Sequence, residues 1–277
     1  MTAIEVRGLR KAYGGRDAVA GIDLTVASGE VFALLGPNGA GKTTTVEILE
    51  GHRRRDAGDV RVLGVDPGAA GRDWRARVGI VLQTATDAAD LTVAEMVRHV
   101  GGFYPRPRPA AEVIEAVGLT EKADAKIRSL SGGQRRRVDV ALGVVGRPEV
   151  LFLDEPTTGF DPEARRQFWD LIRAQARQGT TIVLTTHYLD EAEALADRLA
   201  VISTGRIVAE GTPATLGGRS TAAATVRWDG RRETVEDPTE LITRLVKDGA
   251  DLRSLTVTRP TLEDVYLDLI GTAGGAR

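Results

Sequence analysis

Eight residues at positions 36–43 have the types and spacing needed to hold a chain of phosphates. They read Gly-Pro-Asn-Gly-Ala-Gly-Lys-Thr and match the pattern G-x-x-x-x-G-K-[ST]. The glycines let backbone N–H groups converge on α- and β-phosphates, and Lys42 can reach the β- and γ-phosphate oxygens as a point charge. The Thr43 hydroxyl can bind magnesium. The alternative, an ordinary glycine-rich turn, is weakened by the buried strand before the segment and the helix after it.

Two adjacent carboxylates, Asp154 and Glu155, end another buried strand. Because the carboxyl ends of parallel strands share one sheet edge, Asp154 is expected beside the glycine-rich loop, where it can bind magnesium directly or through water. Glu155 points elsewhere and can accept a proton from the water that attacks a γ-phosphate, or orient that water. The alternative is a solvated acidic strand end, but turn residues follow at once at positions 156–159.

The sequence SLSGGQRRRVD at residues 129–139 offers a second place for a phosphate. Ser131, Gly132 and Gly133 precede or begin a predicted helix, where bare N–H groups and the helix dipole favour anions. This stretch lies on a predicted helical lobe, whereas Lys42 lies on the core. One fold has little reason to build two cradles for one nucleotide unless the second serves a neighbouring chain.

Short apolar segments alternate with helical patterns and predict an α/β fold with a P-loop core and a wound, mainly parallel sheet. Residues 4–9 and 18–26 alternate apolar and polar positions, which predicts an N-terminal antiparallel layer. Residues 30–36 are apolar on both faces, as a central parallel strand must be. Further strands are predicted at residues 77–83, 149–155, 180–187 and 197–205.

The chain divides into a nucleotide-binding domain at residues 1–217 and a small α+β accessory domain at residues 218–277. An inserted all-helical subdomain is predicted at about residues 86–146, because two helical patterns there are separated by the PRPRP segment. In the tail, Asp229-Gly230 favours a two-residue hairpin turn. Asp237-Pro238 starts one helix, and Thr261 with Asp264 approximates a capping box for the last one.

Composition limits the function classes. The 277 residues carry a net charge of −2, which argues against a dedicated nucleic-acid binder. The chain has no cysteine, which excludes disulfides, thiolate metal sites and cysteine nucleophiles. No segment holds about twenty consecutive apolar residues and the N-terminus lacks the apolar core of a signal peptide. A cytoplasmic protein without direct membrane insertion is predicted.

Taken together, these motifs resemble the ATP-binding subunits of ABC transporters. The resemblance rests on the P-loop, on LSGGQ at residues 130–134 between the two phosphate-site motifs, on VLFLDE at residues 150–155, and on Gln83 and His187 after two strands. It covers residues 3 to about 216. It extends more weakly to LEDVYLDLIG at residues 262–271, which looks like the end of the drug-exporter branch typified by the daunorubicin-resistance export ATPases.

The resemblance implies an ATPase that uses ATP and Mg²⁺. Nucleotide contacts are implied for Tyr13, Gly36, Pro37, Asn38, Gly39, Ala40, Gly41, Lys42, Thr43, Thr44, Ser131, Gly132, Gly133, Gln134 and Asp161. Catalytic roles are implied for Lys42, Gln83, Glu155 and His187, and magnesium ligation for Thr43, Gln83 and Asp154.

The residue types and positions support some of these implied roles better than others. Tyr13 matches the aromatic residue that stacks on adenine, although a tyrosine near a turn is often surface packing. Gln83 matches the residue that touches magnesium and the attacking water, and His187 the one that contacts the γ-phosphate; both could instead be structural strand ends. Asp161 matches a loop that crosses the dimer interface, where Phe160 replaces the family's usual leucine.

In the family, two subunits pair head to tail and the LSGGQ of one closes on the γ-phosphate held by the other. The resemblance therefore implies a second, identical nucleotide-binding subunit and a separate transmembrane permease that holds the chain at the inner face of the membrane. ATP-driven closure and opening would power export, with no nucleic acid involved. The tail is expected to regulate or strengthen the dimer contact.

Two other function classes remain open at this point. The first is a non-transport ABC ATPase acting on ribosomes or DNA, which usually has two cassettes in one chain or long coiled-coil insertions. The second is a catalytically silent nucleotide-binding module, and Glu155 argues against it. The arginine clusters at residues 53–55 and 135–137 are expected to be solvated faces without a site role, the second with some influence on the helix that follows Ser131.

Overall fold

The computed structural model describes residues 1–81 and 90–274. The strands of this part of the chain are β1 Thr2–Tyr13, β2 Arg16–Ala27, β3 Val31–Leu35, β4 Ala57–Val62, β5 Val78–Val81, β6 Val150–Asp154, β7 Thr181–Thr186, β8 Arg198–Ser203, β9 Arg206–Gly211, β10 Ala224–Trp228, β11 Arg231–Val235 and β12 Thr256–Thr258. The α-helices are α1 Lys42–Leu49, α2 Arg72–Arg75, α3 Val93–Gly101, α4 Ala110–Ala116, α5 Gly132–Val144, α6 Pro162–Arg177, α7 Leu189–Leu195, α8 Pro238–Lys247 and α9 Leu262–Gly274.

The central sheet has six strands in the order β5-β6-β7-β3-β8-β9. All neighbours are parallel except β8 and β9, so the predicted mainly parallel sheet is confirmed. All five residues of β3 are buried, because β7 and β8 flank it and both sheet faces are covered. The parallel order brings the carboxyl ends of β3, β6 and β7 to one edge, where the site residues follow them.

The N-terminal layer is an antiparallel sheet of order β2-β1-β4 that packs on one face of the central sheet. Phe32 and Leu34 of β3 share a core with Ile4 and Val6 of β1, while Ala33 of β3 faces the opposite core. The antiparallel pairing predicted for residues 4–9 and 18–26 is confirmed. Strands β4 and β9 were not among the predicted strands.

The lobe between β5 and β6 is helical: the described residues 90–145 contain α3, α4 and α5 and no strand. Val97, Val113 and Val138, one from each helix, belong to the same core as the central sheet's second face. The predicted subdomain limits of 86 and 146 stay a prediction, and residues 86–89 lie outside the described part of the chain.

The tail forms a three-stranded sheet, β11-β10-β12, covered by α8. The predicted hairpin at Asp229-Gly230 is confirmed, with φ of 43° and 72° at the two positions. The last helix, α9, packs Leu262 and Tyr266 into the main core rather than into the small core of the tail. The tail is therefore fastened to the rest of the chain by α9, while the division at residues 217 and 218 stays a prediction.

In the described part of the chain, every helix is too short or too polar to span a bilayer.

Candidate functional site

The P-loop connects the buried end of β3 to the first turn of α1. Gly41 is the N-cap of α1 in the left-handed region, with φ of 107°. A Cβ at this position would lie 2.3 Å from the carbonyl oxygen of Ala18, and one at Gly36 would lie 2.3 Å from that of Ile202. Only glycine fits at these two positions, because the loop is pressed against its neighbours. The exposed stretch Pro37–Asn38–Gly39 between them faces outward.

Lys42 is folded into this loop and almost fully buried. Its Nζ donates to the carbonyl oxygens of Gly36, at 2.8 Å, and Pro37, at 3.2 Å. It also lies 3.6 Å from Oε1 of Glu155. Burial lowers the pKa of Lys42, and the Glu155 and Asp154 carboxylates oppose that shift. The lysine charge is thus held at the centre of the loop, where a phosphate chain would replace the carbonyl contacts.

Thr43 and Asp154 meet at the sheet edge. The Thr43 hydroxyl lies 3.4 and 3.5 Å from the two carboxylate oxygens of Asp154, and the Thr185 hydroxyl donates to the same carboxylate. Hydroxyl and carboxylate oxygens suit Mg²⁺, which commonly takes one or two protein ligands and completes its shell with water and phosphate oxygens. The described residues contain no group of three or more His, Asp or Glu side chains that could hold a metal alone. The donor set therefore fits a magnesium ion shared with a nucleotide.

Glu155 and His187 lie together beside Lys42. Nδ1 of His187 is 3.3 Å from Oε1 of Glu155, the same oxygen that faces Lys42. Glu155 has a φ of 42°, a left-handed conformation that is unusual for a residue with a side chain. Its N–H donates to the hydroxyl of Thr185, at 3.1 Å. The carboxylate of Glu155 thus faces the P-loop and not the Asp154 side of the strand end.

The LSGGQ segment is arranged as a helix N-terminus. Ser131 is the N-cap of α5 and forms a reciprocal capping box with Gln134: the Ser131 hydroxyl accepts from N–H of Gln134 at 3.2 Å, and Oε1 of Gln134 accepts from N–H of Ser131 at 3.1 Å. Gly132 and Gly133 open the helix, where N–H groups have no intrahelical acceptor. In the described part of the chain, no hydrogen bond or ion pair links these residues to the P-loop. The structure therefore brings Lys42, Thr43, Asp154, Glu155 and His187 together and leaves the LSGGQ segment apart.

Three further predicted site residues have different outcomes. Asp161 is the N-cap of α6, accepting from N–H of Ala164 at 2.8 Å, so it has a structural task besides any role at an interface. Tyr13 ends β1 with 44% of its surface exposed, and the Arg53 guanidinium lies 5.4 Å from its ring centre. Gln83 lies outside the described residues.

The prediction that residues 135–137 form a solvated face is wrong for Arg136. This arginine is only 7% exposed, and its guanidinium reaches the backbone on both sides of Glu155. Sequence reasoning missed it because three consecutive arginines on a polar helix resemble a surface, and no local pattern shows which one turns inward.

Glu50, at the end of α1, is another residue that the sequence did not single out. It is 8% exposed. Burial raises its pKa to about 8, and the negative charges of Asp154 and Glu47 add to that effect. The buried carboxyl group of Glu50 is therefore mainly protonated at neutral pH.

Glu50→Gln is expected to be more stable than wild type, by a margin that grows as the pH rises above 4.5. Below the ordinary pKa of 4.5 the carboxyl group is protonated in both states, so it costs nothing. Above it the unfolded chain ionises first, and the folded state loses relative stability until its own pKa of about 8 is passed. The difference between the pKa values of about 8 in the folded state and 4.5 in the unfolded state sets an upper limit of roughly 5 kcal/mol on this loss of stability.

Urea unfolding of wild type and Glu50→Gln across this pH range measures the effect. The two curves should converge at the acidic end and separate towards pH 8. Glu115→Gln serves as the control, since Glu115 is an exposed residue of α4. A difference between Glu50→Gln and wild type that does not change with pH would contradict the assigned protonation state.

The ABC transporter family model matches residues 19–158, which is half of the chain. The chain is 48% identical over 219 residues to the daunorubicin/doxorubicin resistance ATP-binding protein DrrA of Streptomyces peucetius, covering 77% of this chain and 66% of that one. It is 38% identical to the daunorubicin resistance ATP-binding protein DrrA3 of Streptomyces coeruleorubidus, covering 98% and 96%. It is 39% identical to the Nod factor export ATP-binding protein I of Rhizobium sp. (strain N33), covering 97% of each.

Solved structures show the same fold. An ATP-binding subunit of an ABC transporter superposes with a TM-score of 0.72 at 23% identity, covering 96% of this chain and 99% of that one. A dimeric ATP-binding cassette in a post-hydrolysis state with ADP and phosphate superposes with a TM-score of 0.67 at 23% identity, covering 76% and 98%.

Proposed function

The chain belongs to the ABC transporter family, in which it is an ATP-hydrolysing, ATP-binding subunit of the drug-exporter branch, and we propose that it hydrolyses ATP only in composite sites shared by two copies. In each site one copy supplies the P-loop, Asp154 and Glu155, and the other supplies Ser131, Gly132 and Gly133. Closure on ATP and opening after hydrolysis then drive export through a separate transmembrane permease.

The separation of the two anion-binding elements carries this proposal. Lys42 and Glu155 lie at the edge of the central sheet, whereas Ser131 caps a helix of the lobe. The cavity beside Ser131, about 490 Å³ in volume, is lined by lobe and α6 residues and by none from the P-loop. A helix N-terminus without a phosphate from its own chain is suited to a phosphate from another. The cassette with ADP and phosphate reported above, which shares this fold, is a dimer, and this supports assembly of two copies.

Each residue at the sheet edge has a specific task in this proposal. Lys42 leaves its carbonyl contacts and pairs with the β- and γ-phosphate oxygens. Thr43 and Asp154 would hold magnesium, which neutralises phosphate charge when bound. Glu155 accepts a proton from the attacking water, and His187, which is 3.3 Å from it, contacts the γ-phosphate.

The proposed coupling to transport follows from the shared γ-phosphate. Charge-assisted hydrogen bonds from two chains to one phosphate hold the closed dimer together, and removal of that phosphate releases them. The permease would transmit this opening and hold the chain at the inner face of the membrane. Close relatives are named for daunorubicin resistance and Nod factor export, which supports export as the direction of transport.

Mixed dimers of two inactive variants test the composite sites. Lys42→Ala removes the P-loop charge and Ser131→Ala removes the LSGGQ hydroxyl, so each homodimer should be inactive. A dimer with Lys42→Ala in one copy and Ser131→Ala in the other has one intact composite site and should hydrolyse ATP. A dimer that carries both changes on one copy, paired with wild type, has no intact site and should not.

Differently tagged chains, purified as mixed dimers by sequential affinity steps and assayed for phosphate release, give the comparison. Equal activity of the two mixed dimers would contradict head-to-tail pairing, and an active Ser131→Ala homodimer would contradict the role of the LSGGQ segment.

A further inference from the structure

Arg136 connects the LSGGQ helix to the turn that carries Glu155. Its Nε donates to the carbonyl oxygen of Pro156 at 3.0 Å, and a terminal guanidinium nitrogen donates to that of Asp154 at 3.1 Å. These two carbonyls lie immediately before and after Glu155. A planar guanidinium can hold two acceptors in a fixed geometry, which an ammonium group cannot.

The Glu155 turn needs such support. A residue with a side chain in the left-handed region is strained, and the conformation persists only where the surroundings impose it. At Glu155, with φ of 42°, the N–H is held by Thr185 of β7 and the flanking carbonyls are held by Arg136 of α5. Contacts from strand β7 and helix α5 therefore set the direction of the Glu155 side chain.

Burial of the Arg136 guanidinium costs desolvation free energy, which indicates that the side chain has a specific role. Asp139, one turn further along α5, forms an ion pair with Arg136 at 3.7 Å. A buried ion pair contributes little net stability because desolvation offsets its attraction, whereas hydrogen bonds from a charged donor fix geometry well. Arg136 is thus better explained by the position of the turn than by the stability of the core.

Helix α5 makes this contact relevant to the dimer. Ser131 and Arg136 are five residues apart, about 7.5 Å along the helix axis. One end of the same helix is proposed to contact the partner's nucleotide, and its second turn holds this chain's own Glu155. We propose that Arg136 is a positioning residue that sets Glu155 for hydrolysis and links it to the LSGGQ helix of the same chain; this rests on the composite sites proposed above.

Arg136→Lys is the informative variant because it keeps the charge but cannot hold the carbonyl oxygens of Asp154 and Pro156 in the same fixed geometry. Steady-state hydrolysis should show kcat lowered by about 10- to 100-fold, with KM for ATP and the thermal midpoint close to wild type. Arg98→Lys is the matched control, since Arg98 is an exposed arginine on helix α3 of the same lobe. Equal kcat in Arg136→Lys and wild type would overturn the proposal.

Mixed dimers with Glu155→Gln separate positioning from damage to the LSGGQ helix. In a dimer with Glu155→Gln in one copy, hydrolysis uses the intact copy's Glu155 and the variant copy's LSGGQ. Arg136→Lys placed in the intact copy should lower the rate, and Arg136→Lys placed in the Glu155→Gln copy should not. The reverse pattern would show that Arg136 acts on the LSGGQ helix alone and would overturn the proposal.

Two measurements keep the outcomes distinct. If the composite sites themselves are wrong, the mixed dimer of Lys42→Ala and Ser131→Ala already fails to hydrolyse ATP, before Arg136 is changed. If Arg136→Lys unfolds the chain, the thermal midpoint and ATP binding fall together with kcat, and the two placements of Arg136→Lys lose activity equally. That result would assign Arg136 to stability and would also overturn the proposal.

Discussion

Glu155→Gln is expected to slow ATP hydrolysis by about 100-fold or more while ATP still binds. The amide keeps the shape of the side chain but cannot accept a proton from the attacking water. The position of Glu155 makes it the candidate base: one carboxylate oxygen lies 3.6 Å from Lys42 Nζ and 3.3 Å from His187 Nδ1. Because hydrolysis is proposed to open the dimer, this variant should also accumulate as an ATP-bound dimer.

Phosphate release, binding of a fluorescent ATP analogue and light scattering measure these three properties on the same preparation. Glu149→Gln is the matched control, because Glu149 precedes the same strand at its opposite end and pairs with Arg77 at 2.6 Å. It should retain wild-type turnover. Near wild-type hydrolysis by Glu155→Gln would remove Glu155 from the role of base.

Ser131→Ala is expected to lower turnover by about 100-fold and to leave ATP binding by the single chain nearly unchanged. The hydroxyl and the first N–H groups of α5 are proposed to contact the γ-phosphate held by the other copy, and that contact forms only in the closed dimer. Ser131 is also an N-cap, so the variant should lose about 1 kcal/mol of stability as well.

Thr92→Ala separates these two effects. Thr92 caps α3 in the same lobe with the same reciprocal box, in which Glu95 takes the place of Gln134. Its loss should cost a similar amount of stability, measured by urea unfolding, with little change in hydrolysis. If the two variants lost turnover equally, or if Ser131→Ala lost ATP binding as well, the assignment of Ser131 to a partner's phosphate would fail.

The local elements were predictable because they depend on near neighbours in the chain. Alternation at residues 4–9 and 18–26 and the apolar segment at residues 30–36 required particular strands, and each is present. The capping box of Thr261 and Asp264 was predicted from spacing and forms with both reciprocal hydrogen bonds. The P-loop glycines could also be predicted from the sequence. At Gly36 and Gly41 the backbone lies too close to neighbouring atoms for a side chain to fit.

Strands β4 and β9 were harder to predict because each is completed by distant pairing. β4 adds to the outer side of β1, and β9 extends the central sheet antiparallel to β8. Their sequences, AGDVRV and RIVAEG, are polar and short enough to pass for loops. Hydrogen bonding to a strand elsewhere in the fold supplies the stability that local propensity does not.

Most helices and strands, the P-loop and the two candidate phosphate-binding segments could be predicted from the sequence, because each is encoded by residues next to one another. Which charged side chains are buried, such as Arg136 in its arginine cluster and Glu50 at the end of α1, depends on the three-dimensional fold. Burial of a charge depends on the acceptors and charges that other segments bring to it, and no local pattern records them. Glu155 could therefore be identified from its local sequence, whereas Arg136, which holds the Glu155 turn from another segment, could not.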